Sequence, residues 1–184
     1  GTSGRILMRR NGVWTCYQGP EMTDFVGVDG TTIDDVCVIG GTSIHAFDGK
    51  NWHLTETNGE NLADVWVSGE GGIWAIERFG VVVEVTEESI TYHQPEPTAR
   101  LEGIIGKSPD EVYIAGSVGY LQRHDGKTWS AMEPPTSDDI VDLALGGDGS
   151  LGIVTDVGEF LWFEDGTWED VDTGSMLARR VVPD

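Results

Sequence analysis

An all-β fold of repeated four-stranded units is predicted by three features of this 184-residue sequence. One turn is written several times: "RNGVW" (10–14), "FDGKNW" (47–52), "HDGKTW" (124–129) and "EDGTW" (164–168). The apolar runs have strand length, are rich in Val and Ile, end in Gly or Asp-Gly, and carry no helical periodicity. The aromatic residue after the turn recurs at Trp14, Trp52, Tyr92, Trp129 and Trp168, in steps of 38, 40, 37 and 39. Tyr92 of "ITYHQ" takes the Trp place in the middle unit. A period near 40 built from short strands is that of a β-propeller blade.

Each period divides into four strands, a to d from the axis outward. The unit 21–58 reads "DFVGVDG", "DDVCVIGG", "TSIHAFDG" and "KNWHLT"; 59–97 reads "LADVWVSGEG", "GIWAIERFG", "VVVEVTEES" and "ITYHQ". The unit 98–135 reads "LEGIIGKSPD", "EVYIAGSVG", "YLQRHDG" and "KTWSAME"; 136–173 reads "IVDLALGGDGS", "LGIVTDVG", "EFLWFEDG" and "TWEDVD". Asp-Gly suits a tight c–d hairpin, where residues must tolerate positive φ. The aromatic that follows is expected to pack between blades, as a structural repeat and not a ligand contact.

Residues 1–20 supply strands c and d of a further blade, and 174–184, with "MLARRVVPD", align with strand a. The expected fold is therefore a single five-bladed β-propeller, 1–184, of about 38 residues per four-stranded blade, its seam blade built from both termini. Closure of that kind removes exposed edges. No segment supplies strand b of the seam, so either about eight residues were lost from one terminus, a partner or another copy fills the slot, or the blade closes as three strands. A longer ring of which this chain is a fragment is the further alternative.

"DDVCVIGGTSIHAFDGKNW" and "DEVYIAGSVGYLQRHDGKTW" resemble the bacterial and viral propeller repeats of the form Asp-Val-Trp/Tyr-x-x-Gly…Asp-Gly-x-x-Trp, distantly like WD repeats. The third unit departs most, with "TEESI" in place of Asp-Gly. The resemblance implies the fold and a role in binding or assembly; a fold shared so widely names no activity.

The net charge is −21, with three Lys among eleven basic residues. Such a surface repels nucleic acid and anionic membranes, since it offers few cations to displace their counterions. Solubility or adaptation to high salt would each account for it. Residues 1–20 and 174–184 carry Arg5, Arg9, Arg10, Arg179 and Arg180 against Asp184 alone, a local charge of +4 within a chain otherwise at −25. This basic seam either balances its acidic neighbours or docks an acidic partner or copy. Cys16 and Cys37 lie in different strand-like stretches and are expected to be buried free thiols, a disulfide needing Cα atoms under about 7 Å apart; their spacing is not that of a zinc site. No apolar run approaches the length that spans a membrane. The sequence opens at Gly1 without a leader, so a trimmed product is expected, with any targeting signal outside it and the compartment unassigned.

Chemistry is sparse. There is no nucleophile motif, phosphate loop or ligand cluster of His and Cys, and the Asp-rich stretches lack calcium-loop spacing. No metal and no cofactor are expected. An enzyme of this shape would need paired carboxylates near the axis, where Glu102 and Asp142 are the only candidates. Binding is the better class. The d–a loops are the longest, and Glu56, Asn58, Glu60, Glu96 and Arg100 are candidates on the face they form with the b–c turns. A non-catalytic protein-interaction or assembly module is the expected function. A sugar-binding propeller and a structural component of a virus or phage particle are the alternatives.

Overall fold

The computed structural model describes residues 3–19, 24–59, 61–69 and 71–171. It is all-β, with one two-stranded and four four-stranded antiparallel sheets. Strands β1 (Arg5–Arg10) and β2 (Val13–Gln18) form a hairpin, blade one. Blade two holds β3 (Gly27–Thr32), β4 (Asp35–Gly40), β5 (Ser43–Phe47) and β6 (Trp52–Glu56). Blade three holds β7 (Leu62–Val67), β8 (Ile73–Glu77), β9 (Val82–Val85) and β10 (Ile90–His93). Blade four holds β11 (Leu101–Ser108), β12 (Glu111–Gly116), β13 (Leu121–His124) and β14 (Trp129–Ala131). Blade five holds β15 (Ile140–Leu145), β16 (Leu151–Thr155), β17 (Phe160–Glu164) and β18 (Thr167–Asp170). Strand order within each complete blade follows the chain, and the innermost strands β3, β7, β11 and β15 touch in turn.

The second strand of a blade is buried on both sides, so the two-residue period of a strand sends alternate side chains to opposite neighbours. Ala75 of β8 joins Ile39, Ile44 and Val65 between blades two and three, while Trp74 and Ile76 join Leu101, Val112 and Ile114 between three and four. Tyr113 and Ala115 of β12 then meet Ile140, Ile153 and Leu161 of blade five. The core is thus three slabs between four blades. This is why "IWAIE", "EVYIAG" and "LGIVT" read as unbroken apolar runs and not as alternating ones.

The repeated turn has two solutions. In blades one and five, Asn11-Gly12 and Asp165-Gly166 take positive φ at both residues (51° and 81°; 49° and 80°), which matches the twist of a two-residue hairpin. In blades two and four only the Gly does so, and the Asp side chain closes the turn. Asp48 Oδ1 accepts from the amides of Lys50 and Asn51, and Asp125 Oδ1 from those of Lys127 and Thr128. The Asn51 amide is the largest cause holding Asp48 well below the usual carboxylate range.

Blade three requires a correction. Thr86 Oγ1 takes the place of the Asp carboxylate, accepting from the amides of Glu88 and Ser89. Ile90 then pairs with Val85 as Trp52 pairs with Phe47 and Trp129 with His124. The residue at the Trp position is therefore Ile90. Tyr92 lies two residues further, on the same side of the strand, where its hydroxyl accepts from the Asn58 amide at 2.8 Å. All five aromatics lie on outer strands, but their packing differs. Trp52 stacks on Tyr17 of blade one at 4.8 Å between ring centroids, and Trp129 reaches Trp74 of blade three. Trp168 packs on Phe163 of its own blade. Trp14 is 64% exposed, because the described residues place no blade against it. Cys37 is buried, which raises its thiol pKa far above the usual range, whereas Cys16 is an exposed thiol on β2, contrary to expectation.

The inner strand expected from 174–184 lies outside the described residues, as do Arg179, Arg180 and Glu60. Among the described residues no helix is long and apolar enough to cross a membrane.

Candidate interaction surfaces

Three regions gather functional side chains. The first is the axis. A cavity of about 240 Å³ is lined by Val26, Ala63, Asp64, Glu102, Val141 and Asp142, at the start of the four innermost strands. Glu102 is held by two arginines, Arg100 Nε at 2.7 Å and Arg78 at 3.2 Å. Asp64, which sequence reasoning passed over, accepts from the Ile104 amide of the next blade at 3.0 Å. Its pKa is raised to about 6, first by burial and further by Asp142 and Asp29. Asp29 accepts in the same way from Val67 N at 2.7 Å, so carboxylates bind successive inner strands together. No group of three or more His, Cys, Asp or Glu among the described residues could hold a metal ion.

The second region is the hairpin. Tyr17 and Arg10 dock its outer half on blade two: Arg10 pairs with Asp34 and donates to the Gly49 carbonyl at 3.3 Å. Arg9 lies over the Trp14 ring, and Arg5 reaches only Gln18. Among the described residues neither Arg5 nor Arg9 makes an ion pair. Inward of β1, a cavity of about 420 Å³ opens between Arg5, Ile6, Leu7 and, across it, Val28 and Val38. Among the described residues β1 pairs with β2 alone, and its other edge faces that space.

The third region is the loop face. The sequence-predicted residues there are anchored separately. Glu56 accepts from Ser43 and Thr42 hydroxyls, Asn58 donates to Tyr92, the Glu96 carbonyl accepts from Gln122, and Arg100 pairs with Glu102. The b–c turns were expected on the same face, but none of their residues was singled out. In blades three, four and five a loop of one length closes between Glu77 and Val81, Gly116 and Tyr120, and Thr155 and Glu159. Its third residue is Phe79, Val118 or Val157, exposed by 68%, 75% and 55%. A Gly with positive φ follows each time. The signal in the sequence was the pair apolar-Gly in "RFGV", "SVGY" and "DVGE".

Val118 itself has φ +57°. A β-branched residue in the left-handed region is an outlier that costs about 1–2 kcal/mol. Three hydrogen bonds hold it there: Ser117 N to Arg100 O, Val118 N to Asp139 Oδ1 and Gly119 N to Asp138 O, each 2.9 Å.

The comparisons agree with this architecture. The structure is similar to virginiamycin B lyase from Staphylococcus aureus, with a TM-score of 0.83 and 14% identity over 99% of this chain and 68% of that one. It is similar to the Pan2 WD40 domain of Neurospora crassa, with a TM-score of 0.72 and 15% identity over 97% and 63%. It is also similar to YCF48 bound to a D1 peptide, with a TM-score of 0.65 and 14% identity over 93% and 62%. The chain is a β-propeller. It spans between about three-fifths and two-thirds of the lengths of these three structures. No family model matches the sequence, and no curated protein matches it.

Proposed function

We propose that this chain is a non-catalytic protein-interaction or assembly module, working through its loop face and its basic hairpin. The observation that carries the reading is the edge of β1 that no described strand pairs, beside an apolar cavity, with Leu7 67% and Trp14 64% exposed. An unpaired edge with an adjoining apolar slot accepts an extended segment by strand addition, backbone bonds giving affinity and alternate side chains giving selectivity. Arg5 and Arg9, which make no ion pair among the described residues, favour an acidic segment. That YCF48 takes a peptide supports protein binding for a propeller of this architecture. The repeat type, which occurs in binding and assembly proteins, supports it too. Absence of catalysis is favoured by Glu102, whose carboxylate oxygens are both taken by arginines.

Hydrogen exchange on the full chain tests the reading. The amides of β1 that do not bond to β2 should exchange fast, and slow when an alternating Val/Glu peptide is added. Slow exchange without peptide, or no protection by it, would remove the strand-addition reading.

A further inference from the structure

We infer that Phe79, Val118 and Val157, at the tips of the b–c turns of three consecutive blades, form one docking surface for a protein segment that carries apolar side chains among Lys and Arg. The inference rests on the interaction-module reading and concerns its loop face, apart from the hairpin.

Four observations support it. The three side chains occupy the third place of a loop of one length in blades three, four and five, and each is more than half exposed. Folding does not require them there, because an exposed apolar side chain at a turn tip packs against nothing that holds the blade together. The positions are rigid. Leu101 N donates to Arg78 O, Ser117 N to Arg100 O, and Asp156 N to Asp139 O, so each turn is bonded to a d–a connection or the strand after it. A rigid surface loses little conformational freedom on binding.

Val118 is the third line. Blades three and five close the loop by a bond from the Gly80 or Gly158 amide to the carbonyl of Glu77 or Thr155, with positive φ at the Gly alone. Blade four closes a two-residue turn from Tyr120 N to Ser117 O, whose positive φ at both central residues suits Asn or Gly far better than the Val found there. In blade four a Val is held in that conformation by three hydrogen bonds, and its side chain is turned out to solvent. Strain retained at an exposed position points to function and not to stability.

Charge identifies the occupant. Beside the tips stand Asp139, which accepts from Val118 N, Asp156 and Glu159 within the blade-five turn, and Glu96, whose carbonyl accepts from Gln122 on the strand after the blade-four turn. The arginines of this face, Arg78 and Arg100, are both engaged by Glu102. A second copy, also at −21, would be repelled. A segment alternating apolar with basic residues satisfies both the tips and the acids.

The test is selection of random displayed dodecapeptides on the whole chain, followed by affinity measurement of the winners. Enriched peptides should combine Phe, Leu or Ile with Lys or Arg. Their affinity should fall at least tenfold for the triple variant F79S/V118S/V157S and stay unchanged for L7S/W14S on the hairpin. The single variant V118G should melt higher, because the strain is relieved, yet bind more weakly. Enrichment of acidic or wholly polar peptides, no enrichment at all, or equal binding by the triple variant and by V118G would overturn the inference. Binders lost only in L7S/W14S would overturn it while leaving the interaction-module reading in place.

Discussion

Trp74 of blade three and Trp129 of blade four meet edge to face across the blade boundary, with ring centroids 6.4 Å apart and planes at 71°. His93 and His124 close the same cluster, Trp74 lying stacked on His93 at 5.3 Å. The contact joins an inner strand of one blade to an outer strand of the next, so it resists any shear between them.

Trp74 is 1% exposed, and its replacement by Ala should cost about 3–5 kcal/mol, the range for emptying a buried aromatic site. Trp14→Ala, at the hairpin position equivalent to Trp129, should stay within about 0.5 kcal/mol, as an exposed substitution does. Urea denaturation of the two variants measures both. Equal losses would mean that Trp14 is covered.

The pKa of His124 is lowered, first by burial and then by the nearby His93, against the opposing Pro109 carbonyl, Asp125 and Glu84. The folded form therefore binds the proton less well than the unfolded chain. This contribution to stability is complete above the ordinary His range, near pH 6.5, and is lost as pH falls below it. His124→Phe keeps a ring against Trp129 and removes the titration. Its melting temperature should fall less than that of the parent between pH 7 and pH 5, measured by calorimetry.

Asp64 behaves with the opposite sign. A folded pKa of about 6, above the usual carboxylate value, makes the protonated form the stabilising one, so stability is lost as pH rises through 6. Asp64→Asn keeps an acceptor for Ile104 N and removes the charge repelled by Asp142 and Asp29. Its melting temperature relative to the parent should be nearly equal at pH 4 and clearly higher at pH 7. A constant difference across that window would show that the carboxylate is not desolvated.

Self-repulsion at −21 should make the fold salt-sensitive. Its melting temperature should rise between low salt and about 1 M KCl, where charges are screened within a few ångströms. An unchanged value would leave solubility as the account of the acidic surface.

The blades were legible because turns and strand periods are local. Asp-Gly and Asn-Gly announce positive φ, and Val-rich runs announce strands wherever they lie. Tyr92 was misplaced because a two-residue slip keeps a side chain on the same face, and because the Thr86 hydroxyl does for blade three what an Asp carboxylate does elsewhere. Asp64 was missed because its burial comes from strands remote in sequence. The turn tips were missed because one exposed residue per repeat has no period within its own strand. Only laying the repeats over one another would have found "RFG", "SVG" and "DVG". The seam was half legible: the hairpin is present as read, and the strand expected from 174–184 lies beyond the described residues.

Because Trp74 and Ile76 face one neighbour while Ala75 faces the other, blade three carries a plug on one side and a socket on the other, and blade four does the same with Val112 and Ile114 against Tyr113 and Ala115. Copying a whole blade in place would set plug to socket again and leave no slab unmatched. Inserting half a blade would not. Gene duplication should therefore change chains built this way in steps of one period, about 40 residues. A genome survey can check this. Relatives should differ in length by whole periods, with the breakpoints falling in the d–a connections.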